Sequence, residues 1–134
     1  GVPIVDNICN RLKVPKDFRA LAKTVTEYHL MIHRVRYLRP AKLLALLESL
    51  DALRRPARFG EILLACEIDA TGRTGLQSQP YPQRAYLHGA RDAAAGVTTD
   101  SISSAGFEGE AFAQALRQRR TDALTTYIEH QAHV

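Results

Sequence analysis

The sequence is poor in the residues that mark several common classes of protein. It has no tryptophan, five tyrosines and four phenylalanines, so the aromatic platforms of proteins that stack single-stranded RNA are not evident. No apolar run approaches the roughly 20 residues that cross a bilayer, and no basic segment followed by an apolar one opens the chain as a secretory signal would. These absences favour a cytoplasmic protein that does not contact a membrane.

Cysteine and catalytic signatures are also scarce. The two cysteines, Cys9 and Cys66, are far apart in the sequence and form no CxxC pair. One disulfide is arithmetically possible, but two buried thiols in a reducing compartment are the favoured interpretation. There is no GxGxxG or Walker loop, and the serines lack a histidine at the spacing of a nucleophile triad. The residues alone therefore predict no catalytic group.

What the sequence does have is helical periodicity. Apolar residues recur at spacings of three and four, and no stretch alternates with period two, which predicts an all-α bundle of about six or seven helices without a sheet. Pro15, Pro40 and Pro56 are each expected to open a helix. We expect one helical unit over residues 1–134, with a body (1–70), a loop (71–81) and tail helices (82–134). The predicted helices are 3–12, 15–34, one from 40, one from 56, 82–95, a short turn near 100–105, and 109–130.

Charge is distributed unevenly. Residues 11–58 contain 12 basic and 4 acidic residues, a net of +8, whereas the remainder contains 6 basic and 10 acidic residues, a net of −4. This pattern favours a protein whose basic helix ends contact the phosphates of a nucleic acid. The alternative is a solvated basic face with no ligand.

A histidine pair is the candidate metal site. His29 and His33 are four residues apart, which places both imidazoles on one helix face. Asp51 borders the apolar face of the next helix, so the three side chains could share a divalent metal. A buried histidine that hydrogen-bonds a carboxylate is the favoured alternative, because no further ligand has convincing spacing.

Two further segments could bind anions. In residues 66–75, Glu67 and Asp69 fall on the last turn of a helix, where the dipole disfavours acids. Arg73 is their expected partner, and an alternative role for Arg73 is to meet a phosphate. The second segment runs from Gly106 into the last helix, whose start could bind an anion. Acidic residues already occupy that start, so a solvated basic face is favoured for the arginines that follow.

Together these segments resemble one family. The motifs are Tyr28-His29, Leu50-Asp51-Ala52, Arg55-Pro56, residues 66–75 and Gly106-Phe107-Glu108-Gly109. They resemble the C-terminal part of the bacterial class II tRNA nucleotidyltransferases, the multifunctional CCA-adding proteins, over nearly the whole chain. The 66–75 segment looks like the family's Cys-Glu-Ala-Asp-x-x-Gly-Arg pattern and is the most specific element.

The resemblance implies an all-α body and tail that hold the acceptor and TΨC arms of tRNA. In the family an N-terminal catalytic head adds CCA from CTP and ATP with Mg²⁺. Its paired aspartates and base-reading motif are absent here, so we expect no catalytic residue and no cofactor in this chain, and no activity of the chain alone. The expected RNA-binding residues are Arg34, Arg36, Arg39, Lys42, Arg73, Arg117, Arg119 and Arg120.

Some family members also carry an HD-type phosphohydrolase domain, whose second half resembles residues 29–51. Its defining His-Asp doublet would precede Gly1, and Leu30 stands where relatives have Asp. His29, His33 and Asp51 are therefore expected to be remnants of a divalent-metal site or core polar groups. A chain that starts with glycine is itself expected to be a piece of a longer protein. The alternative functions are a remnant phosphohydrolase and a helical interaction module of a poly(A) polymerase-like protein.

Overall fold

The computed structural model describes residues 16–72 and 80–132. Within these ranges the chain forms helices and turns and no strand, which confirms the all-α prediction. The predicted helix over 3–12 lies outside the described residues. The elements are α1 (Lys16–His33), a 3-10 turn (Val35–Tyr37), α2 (Pro40–Ser49), α3 (Pro56–Thr71), α4 (Pro82–Ala95), α5 (Thr99–Ser104) and α6 (Gly109–Ala132).

Proline marks the starts of three consecutive helices. Pro40, Pro56 and Pro82 occupy the first turns of α2, α3 and α4, where the missing N–H has no intrahelical partner to lose. The predicted starts at Pro40 and Pro56 are therefore confirmed. The short turn expected near residues 100–105 is the helix α5, which begins at Thr99 with Thr98 as its N-cap residue.

A tight turn joins α2 to α3. Asp51 has a φ of 54°, a left-handed conformation that a short polar residue tolerates better than a branched one. The Ala52 N–H donates to the Leu47 carbonyl (3.0 Å), and the Arg91 Nε of α4 donates to the Ala52 carbonyl (3.1 Å). This bonding fixes the position of the turn and of the basic residues that follow it.

One hydrophobic cluster joins the helices. It extends from Ile32 in α1 to Leu124 in α6, so the predicted body and tail contribute to the same core. Leu43, Leu46, Leu47 and Leu50 are buried, as their spacing of three and four predicts, and Leu44 is fully buried as well. Leu53 continues the same spacing but is only partly buried against the cluster. Each fully buried leucine contributes roughly 1.5–3 kcal/mol relative to exposure.

Helix α6 packs on α2 and α4. The Tyr127 hydroxyl of α6 donates to the Tyr86 carbonyl of α4 (2.8 Å). A Cβ at Gly89 would lie 2.8 Å from two ring carbons of Tyr127, so this contact requires glycine. Among the described helices, none is long and apolar enough to cross a membrane.

Candidate nucleic-acid interface

The basic residues from the end of α1 to the first turn of α2 form an exposed group of cations. We call residues 34–42 the basic segment. Val35 is buried and Leu38 is half-buried, and these two side chains hold the segment against the core. Four cations on the segment are exposed, and none of them forms an ion pair with another described residue: Arg34, Arg36, Arg39 and Lys42. Their charge is therefore available to an anionic ligand.

An aromatic residue that sequence reasoning did not single out lies within this segment. Tyr37 is 88% exposed, and with His33, Arg36 and Gln83 it lines a pocket. Its position between two arginines was the available signal, because proteins that bind single strands combine basic and aromatic side chains.

The arginines of α6 have a different environment. The Arg117 guanidinium forms an ion pair with the Glu48 carboxylate of α2. Arg120 is half-buried, and its buried Nε has no hydrogen-bond partner in the part of the chain that the structure describes. Arg119 is exposed. Sequence reasoning favoured a solvated basic face here, but Arg117 instead joins α6 to α2.

The acidic residues at the end of α3 face side chains of neighbouring helices. Arg84 of α4 lies 3.1 Å from the Glu67 carboxylate, and the His33 Nε2 lies 3.6 Å from the Asp69 carboxylate. The Arg84 guanidinium offsets the unfavourable position of Glu67 near a helix C-terminus. Arg73, the partner expected from the sequence, lies outside the described residues.

His33 is held by several groups at once. Its Nδ1 is 2.7 Å from the Tyr81 hydroxyl, and Gln83 Nε2 donates to its backbone carbonyl (3.0 Å). Burial, followed by the charges of Cys66, Asp69 and Glu67, raises the pKa of Tyr81. The Tyr81 hydroxyl therefore stays protonated at neutral pH and can donate to His33. The cluster ties the end of α1 to the residues preceding α4.

Cys66 lies close to this cluster. It has a free, buried thiol. Burial, with a smaller contribution from Asp69, raises the pKa of this thiol to about 11. Since the thiolate is the reactive form of cysteine, Cys66 is a packing residue. Cys9 lies outside the described residues.

The candidate metal ligands do not come together. His29 Nδ1 donates to the Thr26 carbonyl (2.9 Å), and its ring meets that of His33 edge-on, with centroids 5.7 Å apart. Asp51 is instead 3.8 Å from the Arg54 Nε. Across residues 16–72 and 80–132, no three His, Cys, Asp or Glu side chains are placed to hold a metal. A metal role for His29, His33 and Asp51 therefore stays a prediction.

Comparison with known proteins gives a consistent family. The chain is 49% identical over 124 residues to the multifunctional CCA protein of Nitrosococcus oceani, which covers 92% of this chain and 30% of that protein. This chain is homologous to the multifunctional CCA proteins. The corresponding protein of Alkalilimnicola ehrlichii is 47% identical over 99% of the chain and 33% of its own length. The multifunctional CCA protein of Pseudomonas paraeruginosa is 45% identical over 98% of this chain and 32% of its own length.

The chain thus spans about a third of the length of these CCA proteins and matches their C-terminal region. The resemblance inferred from the motifs, above all from residues 66–75, is confirmed. No family model matches the chain. No solved structure matches it either.

Proposed function

We propose that this chain is the tRNA-binding portion of a CCA-adding protein, and that it holds the acceptor and TΨC arms. The four exposed, unpaired cations of the basic segment carry this proposal. The homology to CCA proteins supports tRNA as the nucleic acid. The addition of C, C and A from CTP and ATP, together with the Mg²⁺ it needs, would belong to a catalytic head supplied by the parent chain.

The chemistry of the basic segment suits phosphate binding. Arginine presents a planar fork of donors that matches two phosphate oxygens. The acceptor and TΨC arms are A-form duplex, whose deep major groove side chains cannot read, so contacts fall on phosphates and 2′-hydroxyls. Exposed arginines and a lysine can make such contacts without reading the base sequence.

The packing of the basic segment favours this binding. Val35 and Leu38 fix its backbone to the core, so the cations are held near their bound positions before RNA arrives. Pre-organisation of this kind reduces the entropy lost on association. Neutralising phosphates releases condensed counterions, which makes the binding depend steeply on salt.

Binding to two halves of a tRNA tests this proposal. One RNA is a minihelix of the acceptor and TΨC stems, and the matched control is an anticodon stem-loop of equal length. Fluorescence anisotropy in 100 mM salt should give a Kd for the minihelix at least about tenfold lower than for the control. Equal affinities would contradict the assignment to the acceptor and TΨC arms, and no binding to either RNA would contradict RNA binding itself.

A further inference from the structure

We infer that a second phosphate-binding site lies in the cleft between α1 and the start of α3. This inference rests on the proposed tRNA binding and adds a separate contact to it. Ala20 and Leu21 of α1 line one side of the cleft, and Arg54, Arg55 and Arg58 line the other. None of these arginines was among the RNA-binding residues expected from the sequence.

Two of the three guanidinium groups are accessible. The Arg54 side chain is 85% exposed, and its one ion pair among the described residues is with Asp51, whose carboxylate lies 3.8 Å from Nε. That contact leaves the two terminal nitrogens able to donate. Arg55 is exposed and forms no ion pair within the described part of the chain.

The third arginine is fixed in place. Arg58 is half-buried, and its Nη2 donates to the Thr24 hydroxyl of α1 (3.1 Å). Arg55 is the N-cap residue of α3 and Arg58 lies in its first turn, so both side chains project from the start of this helix. Two donor forks at one helix start can converge on one phosphate group.

The rest of the cleft leaves this positive charge largely uncompensated. Among the described residues that line the cleft, Glu61 is the one acid, against three arginines. The first turn of α3 has no acidic residue and no side-chain cap, so its dipole adds to the field of the arginines. The small side chains of Ala20 and Ala57 leave room at the rim for a ribose-phosphate backbone.

A pair of alanine substitutions tests the cleft. Ala57 is exposed and lines it, whereas Ala111 is exposed in the first turn of α6 and does not. Both Ala57→Glu and Ala111→Glu add one negative charge, so they lower the net charge by the same amount. Each places the acid near a helix N-terminus, where it stabilises the helix. Neither variant should melt below the unsubstituted chain.

The readout is anisotropy with a tRNA transcript that lacks the 3′ CCA. We expect Ala57→Glu to raise the Kd about tenfold and Ala111→Glu to change it by less than about twofold. The double variant Arg54→Gln/Arg55→Gln should reduce the slope of log K against log salt by about 1 to 2.

Three results would contradict the proposed phosphate site in the cleft. If Ala57→Glu binds like the unsubstituted chain, or if both alanine variants lose affinity equally, the cleft makes no specific contact, while the proposed function stands. An unchanged salt slope in the arginine double variant has the same meaning. Absence of tRNA binding by the unsubstituted chain would instead remove the proposed function together with this inference.

Discussion

The basic segment and helix α6 carry similar numbers of basic residues but present them differently. On the segment, the four cations are exposed and form no ion pair with another described residue. On α6, Arg117 is engaged by Glu48 and Arg120 is half-buried. The difference arises because α6 packs along α2, which supplies the carboxylate, whereas the arginines of the segment are left exposed by the described helices.

The contrast shows that a count of arginines is a poor measure of an RNA surface. An arginine already paired with a carboxylate must break that contact before it binds phosphate. Four perturbations separate the two regions, in decreasing order of expected effect.

Neutralising two cations in each region tests the comparison most strongly. Arg34→Gln/Arg39→Gln should weaken tRNA binding about 30-fold, because two phosphate contacts are lost and neither arginine is engaged by a described carboxylate. Arg117→Gln/Arg119→Gln removes the same charge and should weaken binding less than about threefold. Anisotropy titrations at one salt concentration give both values. Equal losses would mean that net charge alone determines affinity.

Disturbing the packing of α6 against α4 should lower the stability of the fold and leave RNA binding unchanged. Gly89→Ala places a methyl group against the Tyr127 ring, and such overpacking costs about 1–3 kcal/mol of unfolding free energy. Gly60→Ala is the matched control, since its Cβ would meet only His88, at 3.8 Å. Urea denaturation should separate the two variants, while their tRNA affinities stay within about twofold. A stable Gly89→Ala protein would argue against the close α4–α6 contact.

Releasing Arg117 should make α6 resemble the basic segment. Glu48→Gln removes the carboxylate that engages this arginine, and tRNA affinity should rise about threefold. The unfolding free energy should fall by no more than about 1 kcal/mol, because both side chains are roughly half exposed. Ser49→Ala, an exposed neighbour outside the pair, serves as control. Unchanged affinity would show that Arg117 lies away from the RNA.

Removing the exposed aromatic ring should have the smallest effect. Stacking on a base is worth about 1–3 kcal/mol, whereas a surface that contacts phosphates needs no ring. Tyr37→Ala should therefore change the Kd by less than about twofold and leave the salt slope unchanged. A loss of affinity of tenfold or more would indicate that Tyr37 stacks on a base. The basic segment would then be a surface that binds single-stranded RNA.

The local features of this chain were predictable from the sequence. The starts of α2 and α3 follow from Pro40 and Pro56, since proline is favoured in the first turn of a helix and disfavoured at later positions. The buried face of α2 follows from leucine spacing, except for Leu44, whose burial depends on what packs beside α2.

The partners of the charged residues were not predictable, because they lie far apart in the sequence. Glu67 is met by Arg84, and Asp69 by His33, through contacts among α1, α3 and α4. The same is true of Arg117, because its partner, the Glu48 carboxylate, lies on another helix. Spacing along one helix identifies which charges share a face and says nothing about the helix that covers it.

The salt dependence of tRNA binding tests the central claim most directly. Binding constants of the chain for a tRNA transcript are measured by anisotropy between 50 and 300 mM KCl at fixed Mg²⁺. Four phosphate contacts predict a slope of log K against log salt of about −3 or steeper. Neutralising all four cations of the basic segment should reduce the size of the slope by about 3, which leaves only the contribution of the cleft arginines. A slope near zero in the unsubstituted chain, or one that this neutralisation leaves unchanged, would contradict the account.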